Sequence, residues 1–233
     1  MVIANGENAA GGNGITKAVA EELFGYGIDV LTMGNHVWDQ KEALTLLDEE
    51  PRILRPANYP SGAPGRGWGV FLTRHHREVG IINLAGRVFQ SDLDCPFRLA
   101  DQLLHELKAK TKVILVDFHA EATSEKQAFA WYLDGRVSAV WGTHTHVQTN
   151  DARVLPGGTA YITDLGMTGP RDSVIGVKRE IVIRKFLTQM PVRFEVAGGP
   201  VQLDAVEIEV DVDTGLARDI KALRYFLEGE EDQ

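Results

Sequence analysis

Four times in this chain an apolar run of strand length stops at residues that bind metals or move protons. Val2–Asn5 runs into Gly6-Glu7-Asn8, and the short apolar run Asp29–Met33 into Gly34-Asn35-His36-Val37-Trp38-Asp39. Lys112–Phe118, the strongest apolar strand of the sequence, is followed at once by His119-Ala120-Glu121. Val137–Trp141 is followed by Gly142-Thr143-His144-Thr145-His146. Short apolar runs bounded by polar residues are the signature of buried strands, and folds built from such strands collect ligands at the strand ends. If His144 and His146 are extended, their i, i+2 spacing puts both imidazoles on one side, an arrangement suited to a divalent metal.

Between these runs the periodicity changes to that of helices. Thr16–Tyr26 reads as a helix opened by a threonine cap, and Asp39–Leu47, Phe97–Lys108 and Ser124–Leu133 as three more. Gly69–Thr73 and Val79–Leu84 read as strands around a polar turn at His75-His76, and Thr159–Ile162 as a further strand. Val201–Val212 and Ala217–Phe226 form a closing hairpin about Asp213-Thr214-Gly215. Arg55–Gly67 is a loop, and no element is assigned between Ile162 and Val201. The order is α/β with an antiparallel ending, with helices covering both faces of packed sheets. The whole chain, residues 1–233, reads as one domain.

Composition removes several classes of function. No apolar run approaches the roughly 20 residues that span a bilayer, and Met1-Val2-Ile3-Ala4-Asn5 turns polar too soon for a signal peptide. A lone cysteine, Cys95, cannot form an internal disulfide, which points to the cytoplasm. A net charge of −9 argues against binding a nucleic-acid polymer. It also means that an anionic substrate needs a local cation to hold it. The acidic run Glu228–Asp232 is expected to be a solvated tail.

Each motif alone has a plainer reading. A Gly-Asn-His sequence is often only a turn, a single strand-end histidine such as His119 is more often a hydrogen-bonded structural residue, and Glu7 could pair with a lysine. Four such motifs at four strand ends are harder to explain structurally, because three histidines, a glutamate and an asparagine then converge. The other histidines lack this context: His75 and His76 lie in a polar turn, and His105 lies on the solvent side of an amphipathic helix. Cys95 has no local partner that would activate it. Gly11-Gly12-Asn13-Gly14 lacks the Lys-Ser/Thr of a phosphate-binding P-loop.

Taken together, the motifs resemble the calcineurin-like metallophosphoesterases, and among them the YmdB-like bacterial branch. The resemblance rests on Asn5-Gly-Glu7-Asn8-Ala-Ala-Gly-Gly, Gly34-Asn35-His36-Val-Trp38-Asp39, Phe118-His119-Ala-Glu121-Ala-Thr123-Ser-Glu-Lys126 and Gly142-Thr-His144-Thr-His146-Val-Gln148-Thr. It implies a four-layer αββα sandwich with a site for two metal ions, Fe or Mn with Zn as a further option, and no organic cofactor. By that resemblance Glu7 bridges both metals, Asn35, His119 and His144 complete one site, and His146 and Asn8 belong to the other. By the same resemblance His36 protonates the leaving alkoxide; Asp39 has two readings from its position, one orienting that ring and the other a helix N-terminal acid. The implied substrates are small phosphodiesters such as 2′,3′-cyclic nucleotides, and the implied assembly is a homo-oligomer.

The family pattern normally opens with a strand ending in Gly-Asp, then a helix, before the Asn-Gly-Glu-Asn strand. This sequence begins inside that second strand, so the domain is expected to be N-terminally incomplete, with Met1 an internal position of a longer natural protein. Without that aspartate the metal shared with His146 is expected to bind weakly. The alternative is a catalytically weak or inactive metal-binding or regulatory protein of the same fold. A dinuclear hydrolase of amides or esters is a rival, but the metallo-β-lactamase pattern has His-X-His-X-Asp-His, whereas Val147-Gln148 follow His146 here.

Overall fold

The computed structural model describes residues 1–228. The first sheet is small and parallel, made of β1 (Ile3–Asn5), β2 (Val30–Thr32) and β3 (Ile53–Leu54), with Asn5 opposite Thr32. The second has six strands: β4 (Trp68–Leu72), β5 (Glu78–Ala85), β6 (Ile114–His119), β7 (Ala139–Thr143), β8 (Arg153–Val154) and β9 (Ala160–Ile162). Their spatial order is β4-β5-β6-β7-β9-β8, parallel through the centre and antiparallel at both edges. A third, antiparallel sheet joins β10 (Thr168–Pro170) to the hairpin of β11 (Val201–Val210) and β12 (Ala217–Leu227).

The layers follow from where the apolar faces meet. Helices α1 (Lys17–Gly25) and α2 (Ala43–Glu49) place Ala20, Leu46 and Leu47 against Leu31, Met33 and Ile53 of the first sheet and its approaches. On the far side, α3 (Pro96–Leu107) carries Ala100, Leu103, Leu104 and Leu107 at helical spacing. With Phe129, Ala130 and Leu133 of α4 (Thr123–Leu133), they cover Leu84, Val116, Phe118 and Val140. Between the two sheets Val30 and Leu54 meet Val79, Ile81 and Val113. The order is helices, sheet, sheet, helices. The apolar run of β6 now has its reason: a strand covered on both faces needs no polar alternation.

A polar seam crosses the space between the sheets. The Thr32 hydroxyl donates to Asp117 Oδ2 at 2.5 Å, and Asn83 Nδ2 donates to the carbonyls of Met33 and Leu54 at 2.7 Å each. Buried polar groups satisfied only in one relative placement specify that placement. The seam therefore aligns the ends of β1 and β2 with those of β6 and β7.

Most elements fall where the periodicity puts them, including α1 with Thr16 as its cap, accepting from the Val19 N–H. The second helix is a correction. It starts at Ala43 rather than Asp39, because the Asp39 carboxylate turns back to the His36 ring and residues 39–42 form turns. An unassigned helix, α5 (Arg179–Thr188), follows β10. It buries only Val182 while Ile183, Phe186 and Leu187 stay exposed, so no single face stands out in the sequence. Strands β3 and β8, two residues each, are too short to show a period. In the Arg55–Gly67 loop, Arg55 is buried and donates to the carbonyls of Pro56, Ala63 and Pro64. It ties the loop together. His75, His76 and His105 are exposed, as expected. The expected acidic tail lies, from Gly229 onward, outside the described residues. Among the described residues no helix is long and apolar enough to cross a membrane.

Candidate metal centre

The strand ends of both sheets deliver the site. Glu7 and Asn8 follow β1, Asn35 and His36 follow β2, His119 is the last residue of β6, and His144 and His146 follow β7. His119 is fully buried and Glu7 nearly so. His119 Nε2 lies 2.9 Å from Asn35 Oδ1, 3.3 Å from Glu7 Oε1 and 3.0 Å from His144 Nδ1. Ligand-capable atoms of Glu7, His119 and His144 all fall within 4.8 Å of one another. A second pair forms where Asn8 Nδ2 faces His146 Nε2 at 3.2 Å. The His36 N–H donates to Glu7 Oε2 at 3.4 Å, and its ring Nδ1 sits 2.8 Å from Asp39 Oδ2. The structure thus brings every candidate residue to the same end of the two sheets, in two groups.

The reason for the placement of His144 and His146 differs from the sequence expectation. They do not share a side by strand pleat, because β7 ends at Thr143 and the chain leaves the extended region. His144 has φ 102° and His146 φ 64°, conformations that cost non-glycine residues of order 1–3 kcal/mol each. A buried ion pair holds the turn: Lys126 Nζ lies 2.6 Å from Asp164 Oδ2, which also accepts from the N–H and hydroxyl of Thr145. His144 is thereby directed to His119, and His146 to Asn8. Gly34 is required for a different reason. A methyl group there would overlap Glu7 Oε2 and the His119 ring, so only a glycine lets β2 pass this close.

Burial dominates the electrostatics of the site. Burial pushes the Glu7 carboxyl up to about 8, despite the opposing hydrogen bond from the His36 N–H. Burial, then the neighbouring His144, holds His119 well below the usual imidazole range. His144 is lowered too, mainly by burial. The atoms turned inward are a carboxylate oxygen, a carboxamide oxygen and two imidazole nitrogens, all able to act as electron-pair donors. Such a set of N and O donors fits a metal cation that supplies the missing positive charge. It also answers how a chain of net charge −9 could hold an anion.

The sequence motifs do not reveal the groups behind these residues. Thr143 Oγ1 lies 3.0 Å from His119 Nδ1 and donates to Asp117 Oδ1 at 2.7 Å. Burial raises the Asp117 carboxyl to about 6, against the hydroxyls of Thr32 and Thr143 that bond to it. Glu121 Oε2 lies 3.0 Å from His144 Nε2, and the Ile175 carbonyl lies 3.3 Å from His146 Nδ1. Glu121 and Thr143 stood inside recognised motifs and could have been singled out. Ile175 carries no sequence signal.

The chain matches the sequence pattern of the family described as YmdB-like protein over residues 1–223. It belongs to the YmdB-like family. This YmdB-like chain is 52% identical over 223 residues to a 2′,3′-cyclic-nucleotide 2′-phosphodiesterase of Bacillus subtilis, across 96% of its own length and 84% of the relative's. Its fold is similar to that of a hypothetical protein from Thermus thermophilus, with a TM-score of 0.91 and 45% identity, covering 97% of this chain and 87% of the other. A novel phosphatase of Mycoplasma pneumoniae also superposes with a TM-score of 0.91, at 38% identity, covering 99% and 83%. Membership of this YmdB-like group makes the chain a phosphoric ester hydrolase.

Proposed function

We propose that this enzyme hydrolyses small phosphodiesters, 2′,3′-cyclic nucleotides foremost, at a centre of two metal ions. Glu7, Asn35, His119 and His144 would hold one ion, with Glu7 shared. Asn8 and His146 would contribute to the other. The observation that carries this reading is the convergence of electron-pair donors from Glu7, His119 and His144 on one buried point. The name of the Bacillus subtilis relative supports the substrate class.

When bound, the metal pair would supply a Lewis acid for the phosphoryl oxygens and an activated water. The chain's own residues do the rest. Glu7 offers a carboxylate to both groups of ligands. His36 acts as the general acid for the leaving alkoxide. Its Nδ1 is held by Asp39 Oδ2 at 2.8 Å, which fixes the ring and leaves Nε2 to carry the transferable proton. The lone cysteine supports a cytoplasmic setting, and the exposed apolar residues of α5 support self-association.

Hydrolysis assays with added Mn²⁺, Fe²⁺ or Zn²⁺ test the proposal. Turnover of bis-p-nitrophenyl phosphate and of 2′,3′-cyclic nucleotides is expected. Absence of both with every metal, or turnover only of carboxylic esters or β-lactams, overturns it.

A further inference from the structure

We propose that Phe89, on the loop after β5, is the platform on which this enzyme stacks the base of a 2′,3′-cyclic nucleotide. That role rests on the phosphodiesterase reading for the reaction, and it adds what holds the part of the substrate that does not react.

The loop leaves the sheet beside the metal centre. Ala85, the last residue of β5, is paired in register with His119, and the Gly86 N–H donates to the His119 carbonyl at 2.9 Å. Phe89 follows three residues later, no more than about 10 Å of chain from that anchor. The loop is held at its neck by the buried Asn58. Its Oδ1 accepts from the Ala85 N–H at 2.9 Å, and its Nδ2 donates to the carbonyls of Ala85 at 2.8 Å and Asp94 at 3.0 Å. Further along, the Glu125 carboxylate of α4 accepts from the N–H groups of Arg87 at 3.0 Å and Val88 at 3.2 Å. The Gln90 N–H closes the turn on the Arg87 carbonyl at 3.3 Å. Closed at the neck and braced from α4, this is a compact surface loop of the kind that carries function.

What the scaffold presents is costly. Phe89 has φ 60°, a left-handed conformation that is an outlier for a bulky side chain and costs of order 1–3 kcal/mol. It is also 89% exposed, more than any other large apolar residue among those described. No core contact offsets the strain, so the ring is held out for something beyond the fold. The substrate supplies a match. Glu7, Asn8, Asn35, His36, His119 and His144 are all polar and suit the phosphate end, whereas the ribose carries a flat base on the side away from its 2′,3′-phosphate. Trp38 and Tyr59, the other aromatic residues beside the site, spend their rings on each other, edge to face at 5.5 Å, and on the core under the first sheet. Phe89 keeps a free face. Every base has a π-face, so such a platform favours a nucleoside without choosing its base.

The experiment compares kcat/KM of the Mn²⁺-loaded full chain for 2′,3′-cyclic AMP and for glycerol 1,2-cyclic phosphate, which has the same reacting ring and no base. The wild type is expected to prefer the nucleotide. Phe89→Ala is expected to lower the ratio of the two values about 5–150-fold, the equivalent of about 1–3 kcal/mol for one base stacked on an aromatic ring. The loss should fall on KM for the nucleotide rather than on kcat, because the stack is made equally in ground and transition states. Phe89→Trp is expected to keep the ratio. Phe89→Gly is expected to lose it while its urea midpoint stays at or above that of the wild type, since glycine accepts φ 60° without strain. A structural phenylalanine would lose stability instead. A wild type that shows no preference for the nucleotide, or a ratio that Phe89→Ala leaves unchanged, overturns the inference while the phosphodiesterase reading stands. Turnover of neither compound by the wild type overturns that reading, and the role of Phe89 with it.

Discussion

A buried carboxyl with no cation beside it should leave a signature in stability. Glu7 keeps its proton up to about pH 8 in the fold, while in an unfolded chain it has lost it above about 4.5. Across that window the folded state binds the extra proton, so metal-free stability falls as pH rises. Asp117, pushed to about 6, acts the same way lower in the range. His119 and His144 act oppositely below about 6.5, where only their unfolded forms take up a proton. Between pH 6.5 and 8 Glu7 dominates. Urea unfolding in EDTA is expected to show a decline limited to about 1.4 kcal/mol per pH unit. Glu7→Gln should flatten it, and Mn²⁺ should reverse it by favouring the ionised carboxylate. A rising or flat wild-type profile would remove the burial argument. His36 makes a separate prediction at this scale. His36→Ala is expected to lower kcat for cyclic nucleotides by about 10²–10⁴, the usual range for a lost general acid. Bis-p-nitrophenyl phosphate, whose leaving group needs no proton, should suffer far less. Equal losses on both substrates would disprove the general-acid assignment.

At the scale of elements, the turn after β7 depends on α4. Lys126 lies in that helix and meets Asp164 with both groups almost wholly buried. Removing one partner of a buried pair leaves an uncompensated charge, at a cost of about 3–5 kcal/mol. Lys126→Met is therefore expected to lose that much in denaturant unfolding. Any folded fraction should bind metal more weakly, because Asp164 also anchors Thr145 between the two histidines. A loss below about 1 kcal/mol, the scale of an exposed pair, would show the interaction to be incidental. The same elements show what could be read in advance. Strands β1, β2, β6 and β7 were legible because each is an apolar run that ends in a named motif, and that was enough to gather Glu7, Asn35, His119 and His144. The left-handed backbone of His144 and His146 was not legible, since it is imposed by Asp164, a residue remote in sequence that holds Thr145 between them. Nor was the support of His119 by Thr143. These two face each other only through the parallel register of β6 and β7, which pairs His119 with Thr143. Helix α5 escaped because its apolar residues do not lie on one buried stripe.

For the whole molecule, that unread helix becomes informative. Helix α5 and the segment after it expose Ile183, Phe186, Leu187, Met190 and Phe194, with Phe186 at 73% and Leu187 at 80%. Single exposed apolar residues are ordinary, but a cluster on one helix and its continuation is the usual mark of a surface covered by another protein. The loops flanking α5 also touch the site: before it the Ile175 carbonyl meets His146, and after it Val196 closes on the Gly12 turn. Self-association through α5 would therefore hold the second metal group as well as bury apolar area. Light scattering should give a mass that is a multiple of 25.6 kDa, and the pair Phe186→Ser with Leu187→Ser should return it to one chain. Those monomers are expected to keep Glu7, His119 and His144 assembled, because none of their contacts comes from α5. The contact of His146 with Ile175 should loosen, so the first metal should bind as in the wild type and the second more weakly. A wild-type mass of 25.6 kDa would mean that α5 meets some other partner, and the metal stoichiometry would then not change with the two serines.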